Sequence, residues 1–365
     1  MRLTPPLEVY AGPGALEKLQ RHGFQAGLFD YFVGASGGPK WFALAGLDRV
    51  LFPEWFSYRR DPLHVIGSSA GAFRAACAAQ RDAFSAVNRL AEYYSTMVYS
   101  KKPTRFEITQ KAKALITSLL GPSGGVDIVT NPVVKAHIIV ARCHGPMQSE
   151  NRLTQLGGLA MSAAANAMSR KRLSHLYTRS VFTSSRKFRI HDPYNLRTEY
   201  VDLDVGNLES ALLGSGSIPM VLEGVTRVMN APRGIYRDGG IIDYHFDLSF
   251  GPVDGLVLYP HFYPKPIPGW FDKGLKRRVP HASSYHNTVM LVPSADFVSR
   301  LPYGKIPDRK DFEVLDDKSR ITYWQTVLKE TDALGDYFLK LVGTGKIMDV
   351  IKPLPFDTIS TPVAS

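Results

Sequence analysis

The sequence predicts an α/β fold with a central, mostly parallel sheet, because short β-type runs alternate with helical patterns from the start of the chain. Of its 365 residues, 44% are hydrophobic and 21% are charged, which is enough apolar material for a substantial core and excludes a largely disordered chain. This length exceeds that of a usual single domain but suits one large α/β domain.

The predicted elements follow one another in a regular order. Residues 40–52 are predicted to be helical because apolar side chains recur there at positions three or four apart. The predicted strands are 29–33, 64–66, 133–141, 181–183, 199–203, 235–236, 255–259 and 287–292. The predicted helices are 40–52, 70–79, 84–99, 106–120, 208–213 and most of 150–177.

The composition changes after about residue 250. Nine of the 25 prolines lie in 251–310, and a long helical pattern then runs from Ile321 to Leu341, with Gly343 as its end. We therefore predict a core over 1–250 and a loop-rich C-terminal extension over 251–365 that packs on the core and ends in a long helix.

Several classes of protein are excluded by composition. No stretch of 18 uncharged apolar residues exists and the first residues lack a signal-peptide pattern, so we expect a cytoplasmic protein. Cys77 and Cys143 form no disulfide framework, and no Cys/His pair has zinc-ligand spacing, so no metal or cofactor is predicted. The net charge of +11 favours anionic partners, but without a nucleic-acid-binding motif we expect no nucleic acid partner.

The sharpest local motif is Gly67-Ser68-Ser69-Ala70-Gly71, a G-x-S-x-G between a β-type run and a helical run. A serine nucleophile on a sharp strand-to-helix turn needs small neighbours, because backbone atoms approach one another closely there. The helix that follows points its N–H groups and partial positive charge toward the serine. The motif predicts Ser69 as a nucleophile, with Gly67 and Gly71 as supporting residues.

A glycine-rich loop, Gly34-Ala35-Ser36-Gly37-Gly38-Pro39-Lys40, lies upstream and also joins a strand to a helix. Such loops bind anions through backbone N–H groups. A P-loop is a poor match because proline and tryptophan replace its second glycine and its Ser/Thr, and Ser36 replaces the middle glycine of a dinucleotide loop. An oxyanion hole near Gly37 and Gly38 is the remaining function, and a plain flexible turn is the alternative.

The third motif is Asp238-Gly239-Gly240, which suits a tight turn that exposes a carboxylate. A serine nucleophile needs a base within hydrogen-bond reach, so Asp238 is a candidate base. No histidine occupies an obvious catalytic motif. His64 is interpreted as a core side chain, whereas His245 and His261 are candidate third members of a triad.

In this order, the three motifs resemble the patatin-like phospholipase family. Its hallmarks are a glycine-rich oxyanion loop with a basic residue, a G-x-S-x-G elbow and a D-G-[GA] turn with a catalytic Asp, which correspond here to 36–40, 67–71 and 238–240. The resemblance covers roughly 28–250. It implies a three-layer α/β/α sandwich and makes 1–250 the catalytic core.

The resemblance implies a lipid acyl hydrolase with a Ser69–Asp238 dyad and an acyl-enzyme intermediate, acting on fatty-acyl esters of phospholipids or lysophospholipids. The implied oxyanion hole consists of Ser36, Gly37 and Gly38, with supporting roles for Lys40, Gly67, Gly71 and Gly239. Two departures from the family pattern are the serine at 36 in place of a glycine and Trp41 after Lys40. We expect Trp41 to narrow or reshape the site entrance.

A lipid substrate agrees with the basic composition. The segment 259–280 interleaves aromatic and basic side chains, a pattern that favours a headgroup interface. The residues predicted to dock on an anionic membrane are Trp270, Phe271, Lys276, Arg277 and Arg278; the alternative is a surface loop whose aromatics fold onto the core. A second basic run over 170–189 is interpreted as a solvated face.

Two other functions remain open at this point. A Ser-His-Asp carboxylesterase of the α/β-hydrolase type would depend on His245 or His261. A non-catalytic lipid-binding protein would keep the fold without turnover. The sequence does not reveal whether an activating protein partner is needed, and it does not distinguish hydrolysis from acyl transfer to an alcohol.

Overall fold

A ten-stranded, mostly parallel sheet forms the centre of the protein, which the computed structural model describes over residues 4–360. The strands are β1 (Leu7–Ala11), β2 (Phe29–Gly34), β3 (Leu63–Ser68), β4 (Val134–Cys143), β5 (Tyr177–Thr183), β6 (Arg189–His191), β7 (Thr198–Asp202), β8 (Ile235–Asp238), β9 (Ser249–Gly251), β10 (Leu256–Pro260), β11 (Thr288–Pro293) and β12 (Ile351–Pro353). Their order is β12-β1-β11-β10-β2-β3-β4-β5-β7, with β8 paired to β4, whereas β6 and β9 form a separate pair. Strands β11, β10, β2, β3 and β4 are all parallel, which confirms the predicted α/β class.

Helices flank this sheet, consistent with a three-layer α/β/α sandwich. They are α1 (Pro13–His22), α2 (Ala45–Val50), α3 (Ala70–Ala78), α4 (Ala83–Thr96), α5 (Arg105–Leu120), α6 (Gly124–Thr130), α7 (Arg152–Met168), α8 (Val205–Gly216), α9 (Ala282–Tyr285), α10 (Ala295–Arg300), α11 (Asp311–Val314), α12 (Asp317–Glu330), α13 (Asp332–Gly343) and α14 (Ile347–Val350). Within residues 4–360, none of the helices combines the length and apolar character that crossing a membrane requires.

The sheet continues across the boundary predicted near residue 250. Strands β10 and β11 lie inside the sheet, between β2 and β1, and β12 forms its edge beside β1. Buried side chains of these strands, such as Leu258 and Val289, belong to the same apolar cluster as Val9 of β1. Residues after 250 therefore complete the sheet in addition to supplying surface loops.

The predicted long C-terminal helix is divided into α12 and α13 at Thr331. The Thr331 hydroxyl donates to the Leu328 carbonyl at 3.0 Å and accepts the Gly46 N–H at 3.2 Å. Helix α2 approaches so closely here that a Cβ at Gly46 would lie 2.0 Å from the Thr331 carbonyl oxygen. The division thus follows from contact with α2, which the helical pattern of 321–341 alone does not reveal.

Candidate active site

Ser69 occupies a tight turn between β3 and α3. Its backbone has φ 54° and ψ −124°, and residues other than glycine rarely adopt a positive φ. A Cβ at Gly71 would lie 1.7 Å from the Gly34 carbonyl oxygen, and one at Gly67 would lie 2.1 Å from the Gly71 backbone. The turn therefore needs small residues at both flanking positions, as the G-x-S-x-G motif predicts.

One edge of β4 brings Ser69 and Asp238 together. β3 runs parallel to β4 until Ser68, opposite Ile139, and β8 runs antiparallel to β4 until Asp238, opposite Val140. The C-terminal ends of β3 and β8 therefore meet at neighbouring positions of β4. The Ser69 hydroxyl donates to Asp238 Oδ2 at 3.0 Å.

The Asp238 carboxylate is buried and is held by the turn that follows it. Its Oδ1 accepts the Gly240 N–H at 2.7 Å, and a Cβ at Gly239 would lie 2.1 Å from a β4 carbonyl oxygen. Burial raises the pKa of Asp238, although the Arg309 cation and hydrogen bonds from Gly240 and Ser69 act in the opposite direction. A raised pKa suits a carboxylate that must accept and return a proton.

The glycine loop presents free N–H groups beside Ser69. Within residues 4–360, the N–H groups of Gly37 and Gly38 have no acceptor, and Gly38 has a φ of 57°, which favours glycine. The prediction of Ser36 as an oxyanion donor is wrong, because its N–H donates to the Tyr244 carbonyl at 2.9 Å. The Ser36 hydroxyl instead contacts the Ser68 hydroxyl at 2.7 Å and so braces the loop against β3.

Lys40 and Trp41 point in opposite directions. Lys40 lines a cavity beside Ser69 that carries several basic side chains, with Nζ 3.9 Å from Asp308 Oδ2. Trp41 is buried and donates its indole N–H to Asp48 Oδ2 at 2.8 Å. The expectation that Trp41 shapes the site entrance is therefore wrong, because its hydrogen bond holds the ring in the core.

Two cavities of different character meet at Ser69. One, of about 190 Å³, carries four basic side chains from three separate segments of the chain, together with two carboxylates. The other, of about 680 Å³, is mainly apolar. Basic residues of the first are Lys40, Lys273, Arg309 and Lys310; apolar residues of the second include Phe73, Ile108, Leu115, Ile116, Leu213 and Leu222. Ser69, Ile218 and Arg309 line both cavities.

The histidines do not complete a triad. His245 Nδ1 accepts a backbone N–H at 2.8 Å, and His261 Nδ1 is bonded to the backbone of Tyr263. In the part of the chain that the structure describes, no histidine is hydrogen-bonded to Ser69 or Asp238. His64 is buried and bonded to a second imidazole of the core, as its interpretation as a core residue requires.

The aromatic residues of the predicted docking loop are folded inward. Trp270 and Phe271 are half-buried against a small apolar cluster, and Trp270 lines the cationic cavity beside Ser69. Arg277 and Arg278 each donate to a carbonyl near the end of α7 at 2.7 Å, whereas Lys276 is exposed. The structure therefore favours the alternative of aromatics packed onto the core.

Sequence patterns assigned no role beside Ser69 to three residues that lie there. Arg309 is exposed beside Gly38, and its guanidinium has no hydrogen-bond or ion-pair partner within residues 4–360. Although Lys273 is exposed, partial desolvation of its ammonium, together with the nearby cations Arg309 and Lys40, lowers its pKa to about 8. The Ser215 hydroxyl accepts the Ser69 N–H at 2.9 Å. In the sequence, Lys273 is marked only as part of the basic and aromatic segment 259–280, and Arg309 only by the charged run at 308–310, because folding alone brings these residues to Ser69.

Among the described residues, no three His, Cys, Asp or Glu side chains are placed to hold a metal ion. No protein-family model matches this chain, and no curated protein matches it. The geometry around Ser69 is therefore the basis for the function proposed next.

Proposed function

We propose that this chain is a patatin-like serine hydrolase that cleaves fatty-acyl esters of phospholipids or lysophospholipids. The observation that carries the proposal is the 3.0 Å hydrogen bond from the Ser69 hydroxyl to Asp238 Oδ2, at the junction of an apolar and a cationic cavity. A nucleophile bonded to a buried base is the minimal arrangement for acyl transfer through a covalent intermediate.

In the proposed first half-reaction, Asp238 accepts the Ser69 proton as Oγ bonds to the ester carbonyl carbon. The N–H groups of Gly37 and Gly38 hold the developing oxyanion, an interaction worth about 3–4 kcal/mol per donor in other enzymes. The C–O bond then breaks, and Asp238 returns the proton to the departing alcohol. In the second half-reaction, Asp238 takes a proton from water, whose oxygen bonds to the acyl carbonyl carbon. The C–Oγ bond to Ser69 then breaks, Asp238 returns the proton to Ser69 Oγ, and the fatty acid leaves.

The two cavities are suited to bind an acyl ester whose leaving group is anionic. An acyl chain fits the apolar cavity, because burial of apolar surface there is favourable. Lys40, Lys273 and Arg309 surround the other side of Ser69 and favour a negative charge such as a phosphate. An alcohol in place of water in the second half-reaction would turn the hydrolase into an acyltransferase.

The two alternatives have less support. A Ser-His-Asp carboxylesterase needs an imidazole that accepts the serine proton, whereas the Ser69 hydroxyl donates to Asp238 and, within residues 4–360, to no histidine. A non-catalytic lipid-binding protein has no need for a strained Ser69 or for a buried carboxylate bonded to it.

The proposal is tested by intact mass after treatment with a fluorophosphonate. We expect a single adduct on the wild type and on the control Ser57→Ala, an exposed serine, and no adduct on Ser69→Ala. His245→Asn is expected to be labelled like the wild type, whereas the carboxylesterase alternative predicts a large loss. An unlabelled wild-type protein would favour the non-catalytic alternative.

The charge of Arg309 is expected to set the pH at which activity begins. The Arg309 cation lowers the pKa of Asp238 and so opposes the effect of burial. Arg309→Gln removes this cation and is therefore expected to raise the pKa of Asp238 further. The acidic limb of kcat/KM, which follows the deprotonation of Asp238, is expected to move to higher pH. Lys318→Gln, which removes an exposed cation on α12, is the control. An acidic limb at the same pH in both variants would contradict the assignment of this limb to Asp238 beside Arg309.

A further inference from the structure

Helix α7 is oriented opposite to a usual surface helix. A surface helix normally buries its apolar stripe and exposes its polar side. The face of α7 that contacts the protein is polar or small, with Gln155, Gly158, Ser162 and Asn166. The outer face carries large apolar side chains: Leu153, Leu156, Met161 and Met168, exposed by 80%, 47%, 48% and 68%.

Hydrogen bonds along the buried face fix this orientation. Gln155 Oε1 accepts the Met220 N–H at 2.7 Å, and the Ser162 hydroxyl contacts the Tyr177 hydroxyl at 2.8 Å. Asn166 Nδ2 donates to Asp272 at 2.6 Å. Turning the apolar face inward would bury it only by breaking these bonds, each of which would leave a desolvated polar group. The apolar face is therefore a stable feature of the fold.

The charged residues of α7 and of the segment that follows it are all basic. Residues 151–191 contain eight Lys and Arg residues and no Asp or Glu. The interpretation of 170–189 as a solvated face is wrong for Arg170 and Arg179, which are buried in ion pairs, so the other six supply the surface charge. Arg152 is exposed at the start of α7, and Lys171 and Arg172 are exposed just beyond its end. The 259–280 loop adds Lys276 and Arg277, and the Arg277 guanidinium is bonded to an α7 carbonyl.

We propose that the outer face of α7 docks on an anionic lipid surface. An apolar helix face flanked by cations is the arrangement with which interfacial helices bind anionic membranes, where apolar burial and electrostatic attraction add. A second copy of the chain is disfavoured as the occupant, because a two-fold contact would bring the same cations against one another. The choice of a lipid surface also rests on the proposed function, which takes its substrate from lipid.

Contacts at the end of α7 link this face to the active site. Asp272 is bonded to Asn166 of α7 and to Arg170, and it lies between Trp270 and Lys273, which both line the cationic cavity. The docked helix would therefore hold this wall of the cavity close to the lipid headgroups. In this proposal Lys276 and Arg277 remain candidates for headgroup contact, whereas Arg278 is ion-paired with Asp272, and α7 replaces Trp270 and Phe271 as the apolar anchor.

Co-sedimentation with vesicles of phosphatidylcholine, alone or mixed with phosphatidylglycerol, tests this proposal. We expect the wild type to sediment with the anionic vesicles and Leu156→Asp/Met161→Asp to bind them at least about tenfold more weakly. Val126→Asp/Val314→Asp, two exposed apolar residues on other helices, is the matched control and is expected to bind normally. Equal binding by both double variants would overturn the proposal.

A second pair of variants tests the charge independently of the apolar face. Lys171→Glu/Arg172→Glu is expected to weaken binding to anionic vesicles by about tenfold or more, whereas Arg60→Glu/Lys346→Glu, which changes the net charge equally at other exposed positions, retains most of it. The proposal would be overturned if the wild type does not bind vesicles but self-associates, and if Leu156→Asp/Met161→Asp is monomeric. That result would assign the outer face of α7 to a contact with a second copy.

Turnover of a water-soluble short-chain ester separates this proposal from the proposed function. The α7 variants are expected to keep wild-type turnover of that ester, which also shows that they fold. Ser69→Ala is expected to bind anionic vesicles like the wild type. Vesicle binding without any Ser69-dependent turnover would refute the hydrolase and leave the docking surface standing.

Discussion

Replacing Asp238 by asparagine is expected to lower kcat for an acyl ester by about 10³-fold, the range typical of losing a general base. An asparagine Oδ1 still accepts the Gly240 N–H, so the turn that follows is preserved. Its amide cannot accept the Ser69 proton, so the nucleophile is no longer activated. The measurement is steady-state hydrolysis of a soluble short-chain ester by the wild type and the variant.

The same substitution is expected to leave stability unchanged or to increase it at neutral pH. Burial raises the folded-state pKa of Asp238 above that of the unfolded chain, so the stability of the wild type falls as pH rises between these two values. Asparagine removes this penalty. Asp336→Asn, on the exposed side of α13, is the control with normal turnover. Full activity of Asp238→Asn alongside an inactive Ser69→Ala would point to a different base.

Replacing Asp48 by alanine is expected to lower the free energy of unfolding by about 3–5 kcal/mol, the usual effect of removing one partner of a buried ion pair. Arg74 and Asp48 are both buried and are joined by two hydrogen bonds, of 2.8 Å and 2.7 Å. The substitution would leave the Arg74 guanidinium uncompensated and remove the acceptor of the Trp41 indole N–H. Urea unfolding measures the change.

Asp202→Ala is the matched control for this prediction. Asp202 also accepts hydrogen bonds from one arginine, Arg186, but both side chains are exposed, so the loss of stability is expected to be much smaller than that of Asp48→Ala. The double variant Asp48→Leu/Arg74→Met removes both charges and is expected to recover much of the loss. Equal losses for Asp48→Ala and Asp202→Ala would mean that Arg74 finds another acceptor, such as the nearby Pro260 carbonyl.

The Arg74–Asp48 pair also connects the two loops of the site. Asp48 lies on α2, just after the glycine loop, and Arg74 lies on α3, just after Ser69. The pair therefore holds the Gly37 and Gly38 N–H groups at a constant position relative to the nucleophile. We expect Asp48→Ala to reduce turnover as well as stability, since an oxyanion hole acts only when its donors are correctly placed.

Local features of the sequence determined the α/β class, most elements of the sheet up to residue 292 and the turn that holds Ser69. These features are encoded by neighbouring residues: side-chain periodicity distinguishes strands from helices, and the spacing of Gly67 and Gly71 permits a turn that larger residues would block. The candidate pair of Ser69 and Asp238 came from the order of motifs, without any sequence feature that measures their separation.

Tertiary structure alone decided how distant segments meet. The shared edge of β4 places Asp238 against Ser69, and the carbonyl of Tyr244 accepts the Ser36 N–H, which leaves Ser36 out of the proposed oxyanion hole. Contact with α2 divides the C-terminal helix, and buried hydrogen-bond partners turn the apolar face of α7 outward. Each of these outcomes depends on groups far away in sequence, whose hydrogen bonds and close contacts override the preference that a local pattern expresses.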